Sequence, residues 1–270
     1  MIAATKIELR SLLGARTMRG FLVLGAFSPI VIWLIARLED SQAPWKYDEV
    51  VSFPLIVGIP MVVVLAAQAA ITAHRHRVFE SYAVTGHPRD LLFAGRVLAA
   101  AICAVALTIG TIAGGLVAHA LDNRSSWFVI DGYNGSVSVT LGQFLADVGL
   151  VLLVLVLLAA LVVGLGTLVR NTAATFGILI GAVIIDRVAV DTASIRWSER
   201  ANIVPLDRAY EVPTQLPDPW WSLTQPAIHL VDYSQSGEIT PTLLTGLLLL
   251  AVCALATCSG GLVRLVRGDV

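Results

Sequence analysis

Charged residues are scarce in this 270-residue chain: they make up 14% of it, whereas hydrophobic residues make up 57%. A soluble domain of this size carries about a quarter charged residues, so the composition indicates that lipid is the main solvent. Only Lys6 and Lys46 are lysines, against sixteen arginines, a bias typical of a GC-rich bacterial genome. The net charge of −1 excludes a polycation that binds nucleic acid.

Motifs that carry chemistry are also lacking. No GxxxxGK[ST] loop is present, so the chain does not bind ATP in the P-loop manner by itself. HExxH, GxSxG and paired intramembrane carboxylates are absent too, and we expect neither enzymatic activity nor a metal or cofactor on this chain. Cys103, Cys253 and Cys258 lie in apolar stretches without CxxC spacing, which predicts small packing residues and no disulfide.

Six segments approach the roughly 20 apolar residues that a helix needs to cross a bilayer. They are residues 20–36, 51–73, 97–118, 149–169, 172–185 and 241–263. The fifth is weak, because its uncharged run corresponds to about 21 Å of helix before Asp186 and Arg187 interrupt it. Either this helix ends at the outer interface, or the charged pair faces protein or water. The predicted fold class is an all-α polytopic membrane protein with one transmembrane domain over residues 1–270.

The distribution of basic residues predicts the orientation. With the N-terminus inside, the inner segments 1–19, 74–96, 170–171 and 264–270 contain eleven of the eighteen Lys and Arg residues, although they are the shorter set. The outer segments contain the other seven. Because cytoplasmic loops are enriched in Lys and Arg, both termini are predicted to lie in the cytoplasm, with the chain in the inner membrane of a bacterium.

Two parts outside the spans have recognisable patterns. Residues 1–18 mix apolar and basic positions, which predicts an amphipathic helix in the inner headgroup region; an ordinary charged tail is the alternative. Asn134-Gly135 lies between β-prone runs and predicts a small hairpin. Asp147 stands alone near the start of the fourth span, where an interface position needs no special role.

The outer segment 186–240 is too long for a plain connector. Its aromatic residues either gate or bind an amphiphile that leaves the membrane, or they form an interfacial belt. Asp186, Arg187, Trp220 and Trp221 are the predicted outer gate or cargo contact.

Two glycine pairs within the spans have GxxxG spacing, Gly110/Gly114 and Gly177/Gly181. Small residues at this spacing let helices approach closely, either within one chain or between two chains.

The inner loop between the second and third spans reads AHRHRVFESYAVTGHPRDLLFAGRVLAA from residue 73. Glu80, Tyr82, Thr85, Gly86, Pro88 and Arg89, followed by Gly95-Arg96, are similar to a pattern of the permease subunits of the type-2 ABC exporter family. The chain resembles that family, although Ala73, Arg75, Arg77 and Val78 stand where family members often have acidic residues and Gly-Thr. The partner surface is therefore expected to be more acidic than usual.

The resemblance implies a cytoplasmic coupling helix within residues 74–90 that docks onto a separate ATPase. Its coupling residues are Phe79, Glu80, Tyr82, Thr85, Gly86, Pro88 and Arg89. Residues 78–84 can form a short helix that Gly86-His87-Pro88 ends. Arg89 and Arg96 are expected near the lipid headgroups, where they fix the height of the third span.

The resemblance further implies an exporter of two permease chains, identical or similar, with two ATPase subunits that carry ATP and Mg. The cargo would be an antibiotic, peptide, lipid or glycolipid. A non-transport scaffold or sensor subunit and an ion-coupled drug carrier are the alternatives. The near absence of ionisable residues in mid-span disfavours the carrier.

Overall fold

The computed structural model describes residues 2–14, 16–38, 47–75, 89–121, 129–132, 135–138, 140–171, 173–185 and 241–267. These residues form helices and one two-stranded hairpin. The helices are α1 (Ile2–Gly14), α2 (Arg16–Leu38), α3 (Tyr47–Arg75), α4 (Arg89–Leu121), α5 (Leu141–Val169), α6 (Ala173–Ile185) and α7 (Pro241–Arg267). Strands β1 (Val129–Gly132) and β2 (Gly135–Ser138) pair antiparallel, with Gly132 opposite Gly135, where the sequence predicts a hairpin.

Five of these helices, α2, α3, α4, α5 and α7, are long and apolar enough to cross a membrane. The chain is therefore a helical, multi-pass membrane protein, as its composition predicted. Helix α6 is apolar but short, and it corresponds to the weak fifth segment of the sequence. Its thirteen residues from Ala173 to Ile185 extend about 20 Å.

Two helices extend about two turns beyond the N-terminal ends of the predicted spans. Helix α4 begins at Arg89 and not at residue 97, and α5 begins at Leu141 and not at residue 149. Both helices extend beyond their apolar runs because polar groups support the added turns. At α5 the Thr140 hydroxyl accepts from the Gln143 backbone N–H, and the Gln143 side chain accepts from the Thr140 N–H.

Helices α4 and α5 form the centre of the bundle: α4 packs against α1, α2, α3 and α5, and α5 packs against α3, α4 and α7. The buried side chains of α5 are mainly aliphatic and include Val151, Leu155, Val162 and Val163.

Threonines in the core do not leave a donor unpaired in hydrocarbon. The hydroxyls of Thr108, Thr111 and Thr167 each donate to the carbonyl oxygen four residues earlier in the same helix.

The two GxxxG pairs differ in their surroundings. Gly110 and Gly114 lie against Ala26 of α2, so this pair serves packing within the chain. A Cβ atom added at Gly177 or Gly181 would meet nothing within 4 Å in the described part of the molecule. Only the first pair therefore has a partner helix among the described residues.

Candidate functional site

Most side chains that the sequence assigns to the coupling and gate sites lie outside the described residues. They are Phe79, Glu80, Tyr82, Thr85, Gly86 and Pro88 of the inner loop, and Asp186, Arg187, Trp220 and Trp221 of the outer segment. The proposed coupling helix and the segment 186–240 lie outside them as well, so these roles stay predictions. Arg89 is described as the first residue of α4, and Arg96 follows two turns later.

A buried ion pair joins the N-terminal helix α1 to α4. Arg96 Nη2 donates to Glu8 Oε1 at 3.0 Å, and the two side chains are 0% and 9% exposed. Arg96 Nη1 donates a longer bond, 3.5 Å, to the carbonyl oxygen of Ala70 in α3. Arg96 therefore connects α1, α3 and α4 through charge-assisted bonds, which are stronger than neutral ones.

Gly95 lets the backbones of α1 and α4 approach each other beside this ion pair. A Cβ atom added at Gly95 would lie 3.0 Å from the carbonyl carbon and the Cβ of Ala4, and 3.0 Å from the nitrogen of Thr5. Carbon atoms in contact prefer about 3.5–4.0 Å, so a Cβ atom here requires α1 to shift away from α4 by a few tenths of an ångström. The buried residues of α1, which share the face towards α4, are Ala4, Thr5, Glu8 and Leu12.

Two further arginines cap the ends of neighbouring helices. Arg89 Nη1 donates to the carbonyl oxygen of Leu265 at 3.3 Å, in the last turn of α7. Arg264 Nη1 donates to the carbonyl oxygen of Leu168, in the last turn of α5. The last four carbonyls of a helix have no partner within it and form the negative end of its dipole. A guanidinium supplies both a hydrogen-bond donor for these carbonyls and a positive charge that the dipole favours.

A tight turn connects α5 to α6 at the same place. Arg170 ends α5 with left-handed backbone angles (φ 57°), and its N–H donates to the carbonyl oxygen of Gly166. Asn171 then begins α6: its Oδ1 accepts from the Ala174 N–H at 3.3 Å. Asparagine is among the preferred residues at this capping position. Helix α6 therefore starts where α5 ends.

These contacts bring Glu8, Arg89, Arg96, Arg170 and Arg264 to one end of the bundle, which we call the arginine end. Helix α3 also finishes here, because Ala70 is one turn from its last residue. The segment 76–88 therefore leaves from α3 and returns to α4 at the arginine end. The two helices that form the stem of the predicted coupling loop are joined to each other through Arg96.

The expectation that Arg96 reaches the lipid headgroups is wrong, because its side chain is fully buried against protein. The 33 residues of α4 span about 50 Å, about 20 Å more than the hydrocarbon core. Arg96 lies about 10 Å from the start of this helix.

Sequence reasoning also missed that Glu8 and Asp147 are buried. Glu8 is the only acid of α1, and its position in a basic segment was the one signal of a buried partner. Asp147, in the second turn of α5, has 2% of its surface exposed. A lone acid just inside an apolar span indicates such burial, because lipid exposure of a charge is costly.

Among the described residues, no three His, Cys, Asp or Glu side chains are grouped in a way that could hold a metal ion. No protein-family model matches this chain, and no curated protein matches its sequence.

Proposed function

We propose that this chain is the membrane-spanning permease subunit of an ATP-driven ABC exporter. It moves a hydrophobic or amphiphilic cargo, such as an antibiotic, peptide, lipid or glycolipid, out of the cell. A separate ATPase subunit, present in two copies, binds ATP and Mg and supplies the energy. A second permease chain, identical or similar, completes the transporter. The motif from Glu80 to Arg96, at the stem where Arg96 joins α3 to α4, carries this proposal.

The stem has the mechanical properties that the proposed role needs. A partner that pushes on residues 76–88 acts directly on the last turn of α3 and the first turn of α4. Arg89 connects that first turn to α7, and Arg96 connects α4 to α1. Because α4 is a continuous helix of about 50 Å, a displacement at its start reaches the opposite end of the bundle.

The path of the chain supports six crossings. Helices α5 and α7 both end at the arginine end, where Arg264 bonds to Leu168. The chain between them must therefore travel to the opposite end before α7 can begin there. Helix α6 starts this return and covers about 20 Å of the roughly 30 Å core, so it is the proposed fifth span.

The arginine end also supports the proposed orientation. Glu8 near the N-terminus and Arg264 near the C-terminus are both at the arginine end, which agrees with an even number of crossings. Inner loops of membrane proteins are rich in arginine. We therefore assign the arginine end to the cytoplasmic side of a bacterial inner membrane.

The described buried ionisable residues do not favour an ion-coupled carrier. Glu8 and Arg96 belong to the arginine end, His119 is two residues from the end of α4, and Asp147 is in the second turn of α5. A carrier places its coupling groups near the middle of the bilayer. These four residues lie close to helix ends instead.

Purification of the tagged chain from its native host tests the proposal. We expect a protein with a GxxxxGK[ST] loop to co-purify, and vanadate-sensitive ATP hydrolysis to accompany the complex. Cargo export into inverted vesicles should require ATP. Purification without an ATPase would contradict the exporter and favour a scaffold or sensor, whereas transport without ATP would favour an ion-coupled carrier.

Two variants test the coupling role of the loop. Glu80→Ala and Arg89→Ala should leave the amount of protein in the membrane unchanged but lower the cargo moved per ATP hydrolysed. Asp90→Asn is the matched control, because Asp90 is the exposed neighbour of Arg89. Unchanged export in either loop variant would remove the coupling role from this segment.

A further inference from the structure

The ion pair between Glu8 and Arg96 closes an interface that resists separation. Both charges are almost fully withdrawn from solvent, since the Glu8 and Arg96 side chains are 9% and 0% exposed. Moving α1 away from α4 would leave the Arg96 guanidinium buried without its carboxylate. Removing one partner of a buried ion pair is strongly unfavourable, whereas replacing both by apolar residues is often neutral. The ion pair therefore opposes separation of the two helices. Two apolar side chains in the same positions would hold the interface as well.

The backbones at this interface leave no room for sliding. The close approach of Gly95 to Ala4 and Thr5 puts two helix backbones in direct contact, without a layer of flexible side chains between them. Tightly packed surfaces transmit displacement as units because they do not deform continuously. Helix α1 is therefore held to α4 by backbone packing and by the buried ion pair together.

The contact between α4 and α7 is of a different kind. Arg89 donates one part-buried bond to the Leu265 carbonyl, and water can replace a carbonyl bond at a helix end. The two helices also pack over a much smaller area than α1 and α4 do. Helix α4 is thus held closely to α1, as it is to α2, α3 and α5, and its contact with α7 is the one that opens most easily among the described helices.

We propose that α1 and α4 move as one rigid unit and that Arg96 is the positioning residue that holds them together. This inference rests on the proposed function where it concerns transport, because the ATPase would act on the loop that begins α4. In that setting α1 is a part of the moving stem and not an independent helix on the membrane surface. The Glu8–Arg96 pair stays closed throughout the cycle.

The first test does not depend on an ATPase. Nitroxide labels at Arg10→Cys on α1 and Leu98→Cys on α4, both exposed positions, report the distance between the helices. The three native cysteines are replaced by alanine in this background. We expect one narrow distance distribution for the parent, a broad one for Glu8→Gln, and a narrow one again for Glu8→Leu combined with Arg96→Met. Lys6→Gln, an exposed charge change on the same helix, is the matched control and should stay narrow.

The second test uses the complete transporter. Glu8→Gln should lower the cargo moved per ATP by roughly tenfold, because a buried Arg96 has lost its charge partner, while ATP hydrolysis persists. The apolar double variant should recover the parent ratio. A purely structural defect would instead reduce hydrolysis and transport together, through loss of folded protein.

Each result decides the inference. A distance that stays narrow in Glu8→Gln would show that the pair does not hold the helices together. Recovery of the distance without recovery of transport in the double variant would show that the charges themselves act in the cycle, which contradicts a permanent clamp. If no ATPase partner exists, the exporter proposal fails, and the label distances still test the rigid α1–α4 unit.

Discussion

Gly164 of α5 lies directly against the backbone of Cys258 in α7. A Cβ atom added at Gly164 would be 2.6 Å from the Cys258 nitrogen, closer than any side chain permits. Cys258 Sγ in turn donates to the carbonyl oxygen of Ala160, one turn earlier in α5. This contact connects the C-terminal helix to the centre of the bundle, and it depends on the absence of a side chain at one position.

Gly164→Ala should therefore destabilise the protein by about 1–3 kcal/mol, the usual cost of overpacking a close-packed interface. The higher helix propensity of alanine acts in the opposite direction by about 1 kcal/mol. A lower unfolding temperature would therefore show that the close contact outweighs helix propensity. Gly177→Ala is the matched control, because a Cβ there meets nothing within 4 Å among the described residues. Thermal unfolding in detergent measures both. Equal effects of the two substitutions would contradict the close contact.

Replacing Arg96 by methionine should lower the free energy of unfolding by about 3–5 kcal/mol, because Glu8 is left as an uncompensated buried charge. Glu8→Leu combined with Arg96→Met should be much less destabilising, since no charge remains buried. Chemical unfolding of the four members of this double-mutant cycle gives the coupling energy. Simple additivity of the two single substitutions would show that the ion pair does not contribute as a unit.

Asn171→Ala should loosen the start of α6, because the Ala174 N–H loses its acceptor. Loss of such a cap costs about 0.5–2 kcal/mol. Hydrogen exchange of residues 173–185 should become faster while exchange in α7 stays unchanged. Asn171→Asp keeps an acceptor oxygen and is the control that should resemble the parent. Faster exchange in both variants would remove the capping role.

The two ends of the bundle should face opposite sides of the membrane. Gly14, exposed at the end of α1, and Gly142, exposed at the start of α5, are suitable positions for single cysteines in a background without the native ones. A membrane-impermeant maleimide should label Gly142→Cys in intact spheroplasts and Gly14→Cys only after permeabilisation. The reverse pattern would overturn the assignment of the arginine end to the cytoplasm.

The helices themselves could be predicted because apolar length is a local property. In lipid, a run such as residues 149–169 forms a helix because only a helix pairs all of its backbone N–H and C=O groups within the segment. The same reasoning singled out residues 172–185 as the weakest segment, and the described part of α6 runs from Ala173 to Ile185. It underestimated α4 and α5 at their N-terminal ends, where caps and neighbouring helices support polar turns that hydropathy alone excludes.

Partners across the bundle could not be predicted, because they depend on how helices pack. Glu8 and Arg96 are far apart in sequence, and each alone resembles an ordinary interfacial charge. Their pairing required α1 to pack against α4, and that packing required a glycine at residue 95. The spacing of Gly110 and Gly114 likewise does not distinguish a contact within the chain from a contact between two chains. The structure does, because Ala26 of α2 packs against this pair.

By itself, the sequence determined that lipid surrounds most of the chain, where its apolar helices lie along the chain, and the resemblance on which the exporter proposal rests, because composition and local motifs contain this information. Only the tertiary structure decided that Arg96 is buried and paired with Glu8, that Arg89 and Arg264 cap the ends of neighbouring helices, and that the Gly110/Gly114 pair is internal. The physical reason is that burial and pairing are properties of surfaces in contact. They are determined only when helices that are remote in sequence pack against one another.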